Sequence, residues 1–326
     1  MPVKIGIMSF AHMHAGSYAQ AVNDLPGAEL AGIADHDPER AAAMAAQFSA
    51  KEYPSYEALL ATDIDAVIVT SENCMHRELT QLAARAGKHV LCEKPISTTV
   101  EDAQAMIDVC REDNVQLMTA FPCRYAVPSV QMKGQVDAGC VGDILAIKGM
   151  NRGRMPGGWF VELEKSGGGA VIDHTVHVVD LMRWVMGSEA VQVYAEISNQ
   201  INHGDYDDCG MLTMDFQNGV YATLDTSWSR PKSFPTWGDV VMEIVGTRGM
   251  LSMSIFGKCI AHYSDKAMAV SWENCGGNMD YAMIEDFAKS IAEGSPVNVT
   301  GEDGLKALEV ALAAYRSQAA GKPVRL

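Results

Sequence analysis

Ala86-Gly87-Lys88-His89-Val90-Leu91-Cys92-Glu93-Lys94-Pro95 is the stretch from which the fold is read. Gly87 stops a helix-like segment that runs from Met75 to Ala86. His89 to Cys92 reads as a short apolar strand, and Glu93, Lys94 and Pro95 end it. In open parallel sheets, functional groups gather at the C-terminal ends of strands. A lysine at such an end is poorly placed to be an ordinary solvated charge, and Pro95 restricts its backbone. The plain alternative is a surface lysine.

Working outward, the same alternation repeats. Val3 to Met8 is an apolar run and Ala15 to Val22 has helical character, broken by Pro26-Gly27. Glu29 to Ala34 reads as a second strand ending at Asp35. Asp37-Pro38 then opens an alanine-rich helix through Phe48, with proline in the tolerated first turn. Ala66 to Val69 is a third strand, which makes His89 to Cys92 the fourth. Thr99 can cap a helix through Cys110, with Asp102 in the capping-box position, and Val115 to Thr119 is a fifth strand. Apolar strands alternating with helices imply a doubly wound parallel sheet covered on both faces.

The pattern changes after about Phe121. Ala170 to Met186 reads as a helix. Val191 to Ile197, Met211 to Phe216, Val220 to Trp228, Val240 to Val245 and Met250 to Ile255 read as strands. Leu212, Met214 and Phe216 alternate with Thr213, Asp215 and Gln217, and Asn218-Gly219 supplies a tight hairpin turn. This is an open, mostly antiparallel sheet with one face more polar than the other. Tyr281 to Ile291 and Leu305 to Ala319 are closing helices. The expected division is a first domain over 1–121 and an α/β domain over 122–326, since 326 residues exceed what one core usually serves.

Composition narrows the function. The chain carries 25 Lys+Arg against 41 Asp+Glu, a formal net charge of −16. Such a chain repels phosphate backbones and anionic lipid, which argues against nucleic-acid and membrane partners. No apolar run reaches spanning length. The start, Met1-Pro2-Val3-Lys4-Ile5-Gly6, enters a strand-like run directly, so a cytoplasmic protein is expected. The eight cysteines are scattered without a close pair, which reads as reduced thiols rather than a disulfide framework. The 20 methionines are most simply core filling.

The first strand-to-helix turn is where a dinucleotide pyrophosphate would sit, on free N–H groups at a helix start. The expected pattern there is G-x-G-x-x-G. The register gives Ser9-Phe10-Ala11-His12-Met13-His14, with no glycine, although Ser9 and Ala11 are small. An ordinary strand–loop–helix joint reads equally well from this turn alone. Asp35 closes the second strand about 20 residues further on, where a carboxylate would bond the adenosine ribose. A carboxylate there opposes a 2′-phosphate, which favours NAD over NADP. Its simpler role is to begin the turn at Asp37-Pro38.

Three longer segments carry a family resemblance. Ser71-Glu72-Asn73-Cys74-Met75-His76 and the Ala86–Pro95 stretch resemble the T-P-N-x-x-H and A-G-K-H-V-x-x-E-K-P segments of the Gfo/Idh/MocA oxidoreductases (glucose–fructose oxidoreductase and inositol dehydrogenase type). Gly167-Gly168-Gly169-Ala170-Val171-Ile172-Asp173-His174-Thr175-Val176-His177 resembles their G-G-G-x-x-x-D-x-x-x-H segment, and Asp286-Phe287 and Asp303-Gly304-Leu305 also match. The glycine-poor first turn, and Glu72 where the family has proline, depart from its pattern. The resemblance implies an N-terminal Rossmann domain and a C-terminal domain for substrate and oligomer contacts. It implies NAD as cofactor and a sugar or polyol substrate. Cofactor contacts would come from Ser9, Phe10, Ala11, His12, Met13, Asp35, Ser71, Glu72, Asn73, His76, Glu93 and Lys94. It implies that Lys94 bonds the reacting hydroxyl and that the Lys94–Pro95 bond is cis. It also implies a homodimer or homotetramer through the sheet face.

Asp173 and His177 can be read independently. They stand i, i+4 on a helix and so share a face. A carboxylate can orient an imidazole and favour its charged form. That suits a base taking a hydroxyl proton while hydride leaves the same carbon. A structural Asp–His pair is the alternative, and the resemblance favours the catalytic one. Arg124, Trp159, His174 and Tyr281 are candidate substrate contacts, and Arg152, Arg154 and Phe160 could line the same pocket. His12, His14, Cys74 and His76 lack a recognised ligand spacing, so no metal is expected. Two rival functions stay open: an NAD-using glycoside-cleaving enzyme, distinguished by the absence of net NADH formation, and a non-enzymatic sugar-responsive regulator, distinguished by a lost Lys or His.

Overall fold

The computed structural model describes residues 1–257, 259–264, 269–274 and 276–326. The chain forms two compact units. The first holds Met1–Pro122, Glu164–Gly167 and Asp280–Leu308; the second holds Cys123–Leu163, Gly168–Met279 and Glu309–Leu326. Two later stretches therefore return to the first unit.

The first unit runs β1 (Val3–Met8), α1 (Ala15–Asp24), β2 (Ala28–Ala34), α2 (Pro38–Phe48), α3 (Tyr56–Leu60), β3 (Ala66–Val69), α4 (His76–Arg85), β4 (His89–Cys92), α5 (Val100–Glu112) and β5 (Leu117–Thr119). Its sheet is parallel throughout, in the order β2-β1-β3-β4-β5. Every residue of β3 is buried, as expected for a strand covered on both faces. Local chemistry sets the helix starts. Asp37 accepts from the Glu39 and Arg40 N–H groups ahead of Pro38, and Thr99 accepts from the Asp102 N–H. Gly32 on β2 leaves room for Tyr53, whose ring would lie 2.3 Å from an added Cβ.

Beyond β5 come α6 (Val127–Asp137), β6 (Ile144–Gly153), α7 (Leu163–Ser166), α8 (Ala170–Met186), β7 (Ala190–Ser198), β8 (Cys209–Phe216), β9 (Tyr221–Ser227), β10 (Gly238–Gly246), β11 (Gly249–Ser254), β12 (Cys259–Ser264), β13 (Ala269–Asn274), α9 (Met279–Glu293), α10 (Gly301–Ala320) and β14 (Val324–Arg325). Seven strands form one sheet, β11-β10-β6-β9-β8-β7-β14, antiparallel except where β6 runs parallel to β9. The hairpin at Asn218-Gly219 forms as expected, with Gly219 at φ 84°. β12 and β13 pair separately.

β6, α6, β12 and β13 were not among the elements read from sequence. β6 escapes the period-2 pattern because glycine interrupts its buried face. An added Cβ on Gly149 would stand 2.5 Å from Val178 and 2.7 Å from Met182, so the glycine lets α8 lie directly on the strand. The face under α8 is apolar, with Ile147, Leu212, Met214, Ala222, Leu224, Met242 and Ile244 all buried. The opposite face shows Met211, Tyr221, Val245 and Met250 exposed among polar neighbours.

Candidate active site

In the first turn of the first unit a serine takes up a backbone conformation that glycine usually supplies. Ser9 sits at φ 75°, the left-handed region that costs an L-residue about 1–2 kcal/mol. Its Oγ accepts the Ala11 N–H at 3.2 Å, which offsets part of that cost. Three more amides of the turn are engaged as well. Phe10 donates to Asp35 at 2.6 Å, His12 to the Thr70 carbonyl at 2.9 Å, and His14 to the His12 ring at 3.2 Å. His12 is buried and Met13 exposed.

Asp35 stands at the end of β2, fully engaged. Arg40 binds both carboxylate oxygens at 2.7 Å, and the Phe10 and Asp37 amides add two more bonds. Burial pushes this carboxyl up, but the Arg40 guanidinium and the two amides outweigh it and hold it below its ordinary value. The nearby Tyr56 hydroxyl is pushed up to about 12 by burial and the Asp35 charge.

At the end of β4, Glu93 is completely buried and Lys94 nearly so, and the Lys94–Pro95 bond is cis. The Lys94 amide donates to Glu93 Oε2 at 2.9 Å, and His14 Nδ1 lies 2.9 Å from Oε1. Burial would raise the Glu93 carboxyl, but the imidazoles of His12 and His14 and the Lys94 ammonium hold it well below the usual carboxylate range. His76 lies between two carbonyls, Nδ1 at 3.0 Å from Pro95 and Nε2 at 3.3 Å from Ser71, and burial lowers its affinity for a proton. Asn73 donates to the Ser166 carbonyl at 2.8 Å, so it acts in folding as well. Ser71 is buried and its hydroxyl bonds the Glu72 carbonyl, while Glu72 faces His36 at 3.7 Å. Tyr281 is half-buried on α9, one residue after Asp280, which accepts from Ser17 at 2.6 Å.

In the second unit, α8 carries three candidates. Its N-terminus is capped from a distance: Asp207 accepts from the Gly169 and Val171 amides at 2.9 and 2.7 Å, and its carbonyl accepts from Ala170. Tyr315 donates to the same carboxylate at 2.8 Å. The glycine run has a packing reason, since an added Cβ on Gly169 would lie 2.0 Å from the Asp207 carbonyl oxygen.

Asp173, His174 and His177 are all buried on that helix. Trp228 Nε1 donates to Asp173 Oδ2 at 3.0 Å, and His174 Nε2 lies 3.2 Å from the same oxygen. His174 Nδ1 faces the Asn151 carbonyl at 3.1 Å. Both neighbours of this ring are acceptors, and a neutral imidazole carries one N–H. His177 Nδ1 lies 3.8 Å from Cys123 Sγ. Gly153 makes room for His174, whose Cε1 would stand 2.7 Å from an added Cβ.

The remaining candidates are drawn into packing. Arg124 forks onto Asp180 of α8 in a buried ion pair. Trp159 stacks on Phe160 with ring centroids 4.0 Å apart, in a cluster with Ala170 and Trp228. Arg152 pairs with Asp239 and Asp225, and Arg154 with the Phe234 carbonyl. The six cysteines whose side chains are described are all free thiols.

Comparison with known proteins accords with this arrangement. Residues 3–121 match the model of an oxidoreductase family with an NAD-binding Rossmann fold, and residues 129–252 match the GFO/IDH/MocA C-terminal domain. A 1,5-anhydro-D-fructose reductase of Ensifer adhaerens is 30% identical over 92% of each chain. An inositol 2-dehydrogenase of Rhizobium meliloti is 27% identical over the full length of both. The solved structure of GenD2 from gentamicin A biosynthesis, in complex with NAD, superposes with a TM-score of 0.91 at 24% identity, covering 100% of this chain and 96% of its own. The chain belongs to the Gfo/Idh/MocA family.

It is an oxidoreductase, and its first unit is the family's Rossmann domain. Sequence reasoning missed Trp228, Asp207 and Cys123 as supports of the α8 residues. Trp228 and Asp207 lie 55 and 34 residues from Asp173, and no short-range pattern links them. It also missed that Glu93 joins His12 and His14. Among the described residues no helix is long and apolar enough to cross a membrane.

Proposed function

We propose that the protein is an NAD-dependent dehydrogenase, transferring a hydride between a secondary hydroxyl of a sugar or polyol and the nicotinamide. The observation that carries this reading is the buried run of Asp173, His174 and His177 on one capped helix, with Trp228 on the carboxylate. The names of the relatives support it: a reductase of an anhydrosugar and a dehydrogenase of inositol. The NAD complex of GenD2 supports the choice of cofactor. Free thiols and the strongly acidic composition suit a cytoplasmic enzyme, and the open sheet face suits a homodimer or a tetramer of dimers.

The residues fit a dinucleotide. Ser9 supplies the left-handed backbone that the first glycine of the fingerprint normally provides, and Asp35 ends β2. The turn Ser9–His14, Asp35, Ser71, Glu72, Asn73, His76 and Glu93 would hold the group, which supplies a hydride acceptor when bound. Lys94 donates a hydrogen bond to the reacting hydroxyl oxygen and stabilises the charge that develops there. His177 takes the hydroxyl proton. Asp173, fixed by Trp228, keeps a carboxylate on the same helix face, and His174 faces it at 3.2 Å. Arg124 acts through Asp180, as a positioning residue for α8. Trp159 and Tyr281 complete the substrate contacts.

The test is a screen of inositols, aldoses, anhydrosugars and glycosides with NAD, followed by the absorbance of NADH. Net NADH formation with at least one polyol or sugar is expected, and its loss in His177→Ala. Glycoside cleavage without net NADH, or no turnover of any class, would overturn the reading.

A further inference from the structure

Three donor side chains meet at the ends of β1 and β4. His12 and His14 stand two apart on the first turn, and Glu93 follows β4. One donor atom from each lies within 4.8 Å of the other two. Glu93 Oε1 is 2.9 Å from His14 Nδ1 and 3.7 Å from His12 Nδ1. Bonds of about 2.0–2.2 Å to nitrogen and oxygen place tetrahedral neighbours about 3.4 Å apart, between those two separations. The second carboxylate oxygen is anchored by the Lys94 amide at 2.9 Å, which fixes how the first is presented. Glu93 and His12 are buried, whereas the His14 side chain is 31% exposed, so the cluster opens to solvent on one side.

The geometry points to a divalent transition-metal site built from His12, His14 and Glu93. Two imidazoles and one carboxylate suit zinc, cobalt, iron(II) or nickel. Magnesium and calcium take oxygen ligands and are poorly served here. Three protein ligands leave a further coordination position on the solvent side of His14, as in open sites rather than closed structural ones. The metal displaces the 3.2 Å hydrogen bond from the His14 amide to the His12 ring and takes the place between Glu93 and His14. None of the steps of the reaction proposed above uses an ion, but the site shares His12, His14 and Glu93 with the dinucleotide contacts proposed there, so metal and NAD would compete for these side chains.

The test uses the full-length, tag-free protein, stripped with a chelator and titrated with cobalt(II) chloride. Visible d–d bands of the intensity that marks low coordination should grow and saturate at one equivalent, and zinc should bleach them while magnesium does not. Glu93→Gln and His14→Ala should each weaken binding by more than the roughly 10–100-fold that loss of an outer-shell partner costs. His203→Ala, on the surface of the other unit, should leave it unchanged. Circular dichroism checks folding, and the half-exposed His14→Ala decides the matter if the buried Glu93→Gln does not fold. Absence of the bands at one equivalent, or their survival in His14→Ala, would overturn the site.

Discussion

Arg40 grips Asp35 through two hydrogen bonds of 2.7 Å, Nε to Oδ2 and Nη2 to Oδ1. The carboxylate that would meet an adenosine ribose thus also neutralises a cation beside it that could welcome a 2′-phosphate. While Asp35 is present, Arg40 is spoken for, so tighter binding of NAD than of NADP is expected. Asp35→Ala should release Arg40 and move the preference toward NADP by roughly tenfold or more, about 1.4 kcal/mol. Calorimetric titration with both dinucleotides reads this directly. Tighter NADP binding by the unmodified protein would show that Arg40 already prevails.

The same pair sets an acid limit on stability. The folded Asp35 carboxyl lies below its ordinary value of 3.8, so it contributes stability that is complete above that value. The contribution is lost as the pH falls through the folded value, because the unfolded chain takes up the proton first. Asp35→Asn carries no such dependence. The gap in melting temperature between the two proteins should hold at neutral pH and narrow below 3.8. A gap that stays level down to the acid melting limit would mean that the Arg40 contact adds nothing through charge.

Asp207 is the distant cap on which α8 depends. Asp207→Ala leaves the Gly169 and Val171 amides without their acceptor and should cost about 1–2 kcal/mol, the range for a lost helix cap. Gly169→Ala should cost more than Gly168→Ala. The new Cβ meets backbone in the first case, 2.0 Å from the Asp207 carbonyl oxygen, and side chains in the second, the Tyr315 hydroxyl at 2.3 Å and Ile172 Cγ2 at 2.9 Å. Urea denaturation of the three variants gives the order, and the reverse order would show that the Asp207 loop yields more easily than Tyr315.

What could be read from sequence was whatever rests on neighbours along the chain. The buried runs of β1, β3 and β4, the Asp37 and Thr99 caps and the Asn218-Gly219 turn all carry local signals. β6 did not, because Gly149 and Gly153 stand where apolar residues would mark the buried face, making room for Val178 and His174. In the site, the residues on α8 were legible, but the partners of Asp173 were not. Spacing suggested His177 for the carboxylate; folding brings His174 and Trp228 to it, the latter from β9's end. The meeting of Glu93 with His12 required the strand order β1-β3-β4, which no single motif contains.

Turnover should separate the two roles assigned to the reacting hydroxyl. His177→Ala should lower kcat by roughly 10²–10⁴-fold, the range for a lost general base, with NAD affinity nearly unchanged. Lys94→Ala should lower kcat as well. Stopped-flow turnover and equilibrium dinucleotide titration on each variant give the two readouts. Full activity of His177→Ala on a good substrate would remove it from the reaction.

The open sheet face predicts assembly. Register places Met250, Val245, Ala146, Tyr221 and Asp215 in one row across five strands, and Met211, Asp225 and Met150 in another. Met211 is 55% and Tyr221 61% exposed, and the polar residues between them are chiefly Thr and single charges rather than a solvated row of Lys or Glu. α8 packs on the opposite face, so this one is left for another partner. A mixed face on a wide sheet matches itself about a two-fold axis, each row meeting its own copy. A homodimer, or a tetramer of such dimers, is therefore expected by light scattering after size exclusion. Tyr221→Lys paired with Met211→Lys should place like charges against each other in that interface and shift the mass toward the monomer. A monomer mass for the unmodified protein at micromolar concentration would show that the face is simply solvated.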